Sequence, residues 1–559
     1  MKQGKVYIFL LTALLVMVAV VFGRNEIGMQ NFPFSVIVET EDTQEEIRCV
    51  KLEGEYYVFL PGYAGENARI CTNQIYDVSI EGQLLTENQN CDIFPLNTKL
   101  ELFFHAGKNK GHETVTFVRS GNVATMYIDV PSGNMDYIHE TKGNTEAASV
   151  RLYTKEGVLD YSGSAESLKG RGNSTWYKEK KSYGMELLQS ADLLGMGQAQ
   201  NWVLLSNAYD SSHIRNKVAY DTAAAAGLAF TPDTQWVDLY LNGEYAGLYL
   251  LSERNEVHPE RVQIPAESGF LVSLEIPDRL ENQGYPHITT EKGLALRIHH
   301  SSLAEEELQK LWQSVENAIL AENGIDPISG KSWEELIDVD TWAHKYLLEE
   351  LFGNYDAGSI SQFFYCDLSE PDAKVYAGPI WDFDLSMCGG NWSSVNPRSF
   401  LANRTHFYSA EDAPLFHGLY RKEAFYSRVV ELFASVYEPL IQELIDGGLQ
   451  EYADRVSAAG RADRLRWNTE DPQKTTEIIR DFLQQRLECY HDLWINETEY
   501  CTMEITYDYE VWGCWLIPKG DWPELPYEEN GRWCNAATGE PVDLTQPILE
   551  NLTVHWVPE

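Results

Sequence analysis

Two stretches of this 559-residue chain gather charged side chains that could act on a phosphate. The first, KGRGNSTWYKEKKSYGMEL over residues 169–187, places Lys169, Arg171, Lys180 and Lys181 around a glycine-containing turn that leads into a strand. Cations and backbone N–H groups collected at such a turn make a concavity for anions. The second is acidic: GNYDAGSISQFFYCD (353–367) and GPIWDFDLSMCGGN (378–391) set Asp356 on one loop and Asp382 and Asp384 on another, with a short aromatic hairpin between them. Phosphoryl transfer to a hydroxyl needs cations on the nucleotide phosphates, carboxylates on Mg²⁺, and a carboxylate that orients the acceptor and takes its proton. All three residue types are present. A basic stretch by itself can also balance neighbouring acids on a surface hairpin, and a salt bridge can hold a buried Asp pair, so the residues alone leave both alternatives open.

In the chemical alternative Asp356 orients the acceptor hydroxyl and Asp382 ligates a metal ion bridging the phosphates. Asp384 faces the other side if its segment is extended, and joins as a second ligand if the segment turns. Ile380, Trp381 and Phe383 argue for a partly buried site, where carboxylates need a cation or hydrogen-bond donors to stay charged. Glycosyltransferases use the same Asp-x-Asp tripeptide to hold the metal of a nucleotide sugar. That chemistry calls for a parallel βαβ half upstream, where this chain shows hairpins and meanders. His299-His300 has no acidic or histidine partner at helical spacing, and GxSxG and HExxH are absent.

The elements around these loops follow from periodicity. Residues 32–123 alternate β-branched or aromatic residues with polar ones between Gly, Pro and Asn breaks, as a small β-sandwich does. Strands continue to Glu256, with one helix, HIRNKVAYDTAAAAG, which is expected to start after a Ser cap in Asp210-Ser-Ser and stop at Gly227. A hairpin turns at Asn242-Gly243. From Ser301 to about Trp494 apolar residues recur at three- and four-residue spacing, which predicts helices interrupted by the acidic loops. The tail from Cys501 returns to strands and carries five tryptophans.

Lys2 and Lys5 precede an apolar run, Val6–Phe22, which reads as an export signal or uncleaved anchor and places the rest outside the cytoplasm. A net charge of −42, from 43 Lys and Arg against 85 Asp and Glu, argues against a nucleic-acid partner. Nine cysteines cannot all pair within one chain, and export permits disulfides or buried thiols alike.

KGRGNSTW, KKSY, NWVLLSNAYDSSHIRNKVAYD, VDLYLNGEYAGLYLLSE, NYDA and GPIWDFDLS stand in the order of motifs found in the CotH (spore coat protein H) kinase family, and residues 124–495 or so resemble it. The resemblance implies an α+β fold with an atypical, bilobal protein-kinase-like domain. It also implies ATP and Mg²⁺ (or Mn²⁺) as cofactors, and phosphorylation of Ser or Thr on exported or coat proteins. By position Asp356 resembles the catalytic-loop carboxylate and Asp382 the metal-binding one. Lys181 corresponds to the phosphate-contacting lysine, with Arg171 an alternative or assistant and Lys169 beside it. Glu253 falls near the adenine-side hinge, and Arg215 or Lys217 on the small-lobe helix reaches the phosphates or a carboxylate. GxGxxG, VAIK, HRD and DFG are missing in their usual forms. Ser361 and Gln362 stand where a metal-binding Asn is expected, and Gln362 offers a carbonyl oxygen to the metal in its place. That departure favours the rival, a non-catalytic surface scaffold. About 30 residues of the tail resemble a Listeria–Bacteroides surface repeat. The implied division is 1–24 signal or anchor, 25–123 β-sandwich, 124–500 kinase-like domain and 501–559 small β-domain.

Overall fold

The computed structural model describes residues 33–558 apart from positions 42, 73–75, 107–108, 355, 390–413, 508–509, 523–530 and 544. The Val6–Phe22 run lies outside the described residues. Among those described, no helix is long and apolar enough to cross a membrane. Helix and sheet are mixed, and the chain divides into two compact units: Met1–Ser206 with Gln235–Leu251 and Arg455–Thr469, and Asn207–Thr234 with Ser252–Asp454 and Glu470–Glu559.

The first unit begins with a three-stranded sheet, in which Phe34–Glu39 pairs with Gln44–Arg48 and Ala68–Thr72, and a six-stranded sheet running from Val50–Leu52 to Asn109–Arg119. Side chains alternate across a strand, so one set, including Phe34, Val36, Val58 and Phe117, closes into a shared core. That core continues past residue 123. Tyr127, Tyr153, Tyr240 and Tyr245 of the following sheet belong to it, and the Tyr240 hydroxyl donates to the Phe59 carbonyl at 3.0 Å.

The following sheet is a closed barrel. Its strands, in spatial order, are Ala124–Asp129, Thr145–Tyr153, Leu159–Arg171, Ser182–Asp192, Gln198–Leu205, Glu244–Glu253 and Thr234–Leu241, the last pairing parallel to the first. Closure leaves no edge strand exposed. While Tyr127 and Tyr240 join that core, their neighbours Met126, Ile128 and Leu239 pack with Leu168, Met185 and Trp202 in a second core. The hairpin turns at Asn242 (φ +51°) and Gly243 (φ +81°), the two left-handed residues that a two-residue turn requires.

Asp238 is wholly buried in this unit, with Tyr245 Oη donating to it at 3.0 Å. Burial raises its pKa to about 7, the neighbouring Asp463 adding to the effect and the Tyr245 and Lys180 contacts opposing it. A carboxyl whose folded pKa exceeds its unfolded value keeps its proton on folding. Its contribution is therefore fully present below about pH 4 and lost as pH rises through 7. We expect Asp238→Asn to remove on the order of 3 kcal/mol of the difference in stability between pH 5 and pH 8.5. Denaturant titration at the two pH values measures it, and equal slopes for both proteins would exclude this origin.

The second unit is built on a five-stranded sheet, ordered His287–Thr289, Ala295–Ser301, Gly269–Leu274, Phe363–Asp367, Tyr376–Ala377, with helices packed on Phe364 through Trp312 and Trp342. The helix Val339–Phe352 runs through the middle. Asp338 caps its first turn by accepting from Thr341 N, Gly353 (φ +57°) ends it, and every residue from Lys345 to Phe352 is buried. A helix buried all round must pair its charges internally.

The helix expected to accompany the strands of the first unit belongs instead to the second. It spans Arg215–Ala225, and its start is not capped by Ser: the carboxylate of Asp210 accepts from Arg215 N at 2.9 Å. Tail strands Tyr500–Tyr507, Glu510–Pro518, Gly531–Asn535 and Leu552–Pro558 form a four-stranded sheet in which Trp533 packs on Trp556. The side chain of Trp512 lies outside the described residues. Among the described residues, Cys49, Cys71, Cys91, Cys366, Cys388, Cys489, Cys501 and Cys534 form no disulfide with one another.

Candidate active site

Just beyond Gly353, Asn354 ties the two acidic loops to the buried helix. Its side-chain Nδ2 donates to Glu349 Oε2 at 2.7 Å and to the Asp382 carbonyl at 3.3 Å, while its Oδ1 accepts from Asp356 N at 3.3 Å. Both amide hydrogens and the carbonyl oxygen are thereby used. Glu349 in turn accepts from Lys345 Nζ at 3.2 Å, and all three side chains are wholly buried. A second buried set, Arg486 and Tyr490 on Glu350, anchors the same helix one residue on.

The Asp382 loop is gripped from the other side by the Arg215–Ala225 helix. Asn216 Oδ1 accepts from Phe383 N at 2.8 Å, and the Tyr220 hydroxyl accepts from Asp382 N at 3.3 Å. Arg215, paired with Asp210, donates to the carbonyls of Ser386 (2.8 Å) and Met387 (3.1 Å). Asp382 itself has φ +71°, and Ser361, Met387 and Cys388 are also left-handed. Such residues cost about 1–2 kcal/mol each and persist only where surrounding bonds over-determine them, most often at functional sites.

Asp384 is part-buried. Burial raises its pKa well above the ordinary range, as do Asp382, Asp356 and Asp210, while Arg215 opposes them. Ser361 Oγ donates to Asp382 Oδ2 at 3.0 Å, and Ser386 N donates to the Phe383 carbonyl at 3.1 Å, so the segment turns after Asp382.

Among the described residues, no three His, Cys, Asp or Glu side chains are close enough to hold a metal unaided. Mg²⁺ typically takes only one or two carboxylates, with substrate phosphates and water completing its shell. The donors fit that habit. Gln362 adds a wholly buried Oε1 with no hydrogen-bond partner among the described residues, its Nε2 being held on the Ile360 carbonyl at 3.2 Å.

The remaining site residues fall as follows. Arg215 reaches a carboxylate: its side chain is buried, paired with Asp210, and donates to the loop after Asp384. Lys217 pairs with Asp221 at 2.6 Å. Glu253 pairs with Arg261 and accepts from Asp233 N, and burial raises its pKa to about 7. The cations of 169–181 belong to the first unit. Lys181 Nζ closes its own turn by donating to the carbonyls of Trp176 (2.8 Å) and Lys178 (2.7 Å). Its neighbour Lys180 is buried against Asp463 and the Leu248 carbonyl. Lys169 is exposed and Arg171 part-buried.

The family model for CotH kinase protein matches residues 168–490, more than half of the chain. This chain belongs to the CotH kinase family. No curated protein matches it. The matched region contains both the basic turn and the acidic loops of this chain, while the tail sheet lies outside it. Asn354, Asn216, Lys345 and Glu349 went unmarked in the sequence. Asn354 does stand inside the NYDA motif, two residues from Asp356, and Asn216 inside NWVLLSNAYDSSHIRNKVAYD, next to Arg215.

Proposed function

We propose that this CotH kinase acts outside the cytoplasm and transfers phosphate from ATP, with Mg²⁺ or Mn²⁺, to Ser or Thr of surface or coat proteins. The observation carrying this function is that Asn354 bonds both acidic loops while Asp382 and Asp356 both act on Asp384 and raise its pKa. A carboxyl in such company takes up a proton or a metal cation. Asp356 takes the acceptor hydroxyl proton, the acceptor oxygen bonds to the γ-phosphorus, and the bond from that phosphorus to the β–γ bridging oxygen breaks, releasing ADP. Asp382, Asp384 and Gln362 would hold Mg²⁺, which would supply positive charge to the phosphate oxygens. From the sequence resemblance, Lys181, with Arg171 and Lys169, is assigned to the nucleotide phosphates and Glu253 to the adenine. The bilobal kinase-like arrangement, the division at residues 24, 123 and 500, the N-terminal membrane anchor and the tail's surface-repeat character are part of the same proposal.

A non-catalytic scaffold is favoured by one observation: Gln362 and Ser361 stand where an Asn would complete a kinase metal site. Thermal melting separates the two. We expect ATP and Mg²⁺ together to raise the melting temperature in proportion to about RT ln(1 + [L]/Kd), with neither alone sufficient. Labelled ATP should then mark the protein or a Ser-bearing peptide. No shift at millimolar concentrations of both would make this chain a scaffold.

A further inference from the structure

Ser361 stands in a strained backbone conformation with its side chain committed to one partner. Its φ of +56° is left-handed, a region that Gly occupies freely and Asn more readily than Ser. The chain here is fixed to the strand Gly269–Leu274: Ser361 N donates to the Leu274 carbonyl at 3.1 Å, and Leu274 N donates to the Gln362 carbonyl at 2.9 Å. From that position Ser361 Oγ donates to Asp382 Oδ2 at 3.0 Å, and it has no other partner among the described residues. Strain kept for a single side-chain contact points to a use for that contact.

The contact lands on a residue whose backbone is already held. Asp382 N donates to the Tyr220 hydroxyl, the Asp382 carbonyl accepts from Asn354 Nδ2, and Phe383 N donates to Asn216 Oδ1. What remains to Asp382 is rotation of its carboxylate, and the Ser361 hydroxyl stops it. Oδ2 is occupied, while Oδ1 accepts no hydrogen bond among the described residues. A donor on Oδ2 stands in the way of a cation chelated by both oxygens, so Asp382 offers a cation one oxygen and not two.

That difference separates cations of equal charge. Mg²⁺ is small and octahedral and takes carboxylates through single oxygens, whereas Ca²⁺ gathers about six to eight oxygens and readily accepts both from one carboxylate. Mn²⁺ shares the octahedral oxygen shell. We propose that Ser361 is a positioning residue that holds Asp382 to one-oxygen coordination and so makes the site select Mg²⁺ or Mn²⁺ against Ca²⁺. This rests on the metal site of the function above and adds its selectivity, obtained by hindering the wrong cation as much as by fitting the right one. Groups that orient a ligand from behind in this way are worth about ten- to a hundredfold in metal affinity.

Two variants test it. Ser361→Gly and Ser361→Asn both suit a left-handed backbone, and only Asn brings a donor for Oδ2. The full chain is melted with the non-hydrolysable ATP analogue AMP-PNP at one fixed concentration while Mn²⁺ or Ca²⁺ is titrated, and the metal concentration giving half the stabilisation is read for each. Ser361→Gly should need about tenfold more Mn²⁺ than the wild type and no more Ca²⁺, with a ligand-free melting temperature unchanged or raised because the strain is gone. Ser361→Asn should keep the wild-type preference for Mn²⁺. A role confined to loop shape would move both metals and the ligand-free melting temperature together. The inference is overturned if Ser361→Gly keeps the wild-type ratio of the two metals, if Ser361→Asn loses the preference as fully as Ser361→Gly, or if the ligand-free melting temperature of Ser361→Gly falls along with its response to both metals. It is overturned too if the wild type responds to Ca²⁺ as well as to Mn²⁺. A wild type stabilised with neither metal overturns the kinase function and this inference together, whereas stabilisation with an unchanged ratio in Ser361→Gly overturns this inference alone.

Discussion

Asp382→Asn should lower phosphate transfer by about a thousandfold or more while leaving the melting temperature unchanged or slightly raised. Asn tolerates a positive φ nearly as well as Asp, and its side-chain oxygen can still accept from Ser361 Oγ, so the loop keeps its shape. What disappears is one negative charge at the place where Mg²⁺ and developing phosphate charge would meet, the type of loss that costs several kcal/mol of transition-state stabilisation. Asp384 is also relieved of its strongest like-charge neighbour, which accounts for the direction of the stability change. Single-turnover transfer at saturating ATP, beside a melting curve, measures both effects. An unchanged rate would take Asp382 out of the mechanism.

Lys345→Met should be the most destabilising single change in the second unit, by about 3–5 kcal/mol, because it strands Glu349 as a buried charge. The damage should reach the chemistry too. Glu349 holds Asn354, and Asn354 holds both acidic loops, so a displaced Glu349 lets Asp356 and Asp382 drift. The double variant Lys345→Met with Glu349→Gln removes both charges yet keeps an oxygen for Asn354 to bond. It should recover most of the stability and most of the transfer rate, as neutral replacements of buried pairs often do. Denaturant midpoints and transfer rates of the two proteins measure this. If the single and double variants were equally impaired, packing around residue 345 and not charge would be the cause.

The two loops and the helix before them share a design. Short polar side chains, Asn354 and Asn216, each bond backbone of a loop that contains left-handed residues, and long buried side chains, Arg215 and Lys345, close the network behind them. Asp382 is thus held by partners on one helix and just past the end of another.

Local order alone was enough to read several features. The Asn242-Gly243 turn follows from two residues that tolerate positive φ, and the helical run through Val339–Phe352 from apolar spacing. Tertiary structure decided the rest. The path of the Asp382–Phe383 backbone depended on partners at positions 216, 220 and 354. Arg215 became a clamp because its acceptors, Ser386 and Met387, lie about 170 residues further along the chain. Lys180 and Lys181, adjacent and identical in type, went one to a buried carboxylate and the other to carbonyls of its own turn. Periodicity records which face a residue occupies relative to its near neighbours. The partner a charged group finds on that face is set by burial, which compels it to pair with whatever distant segment the packing brings into reach.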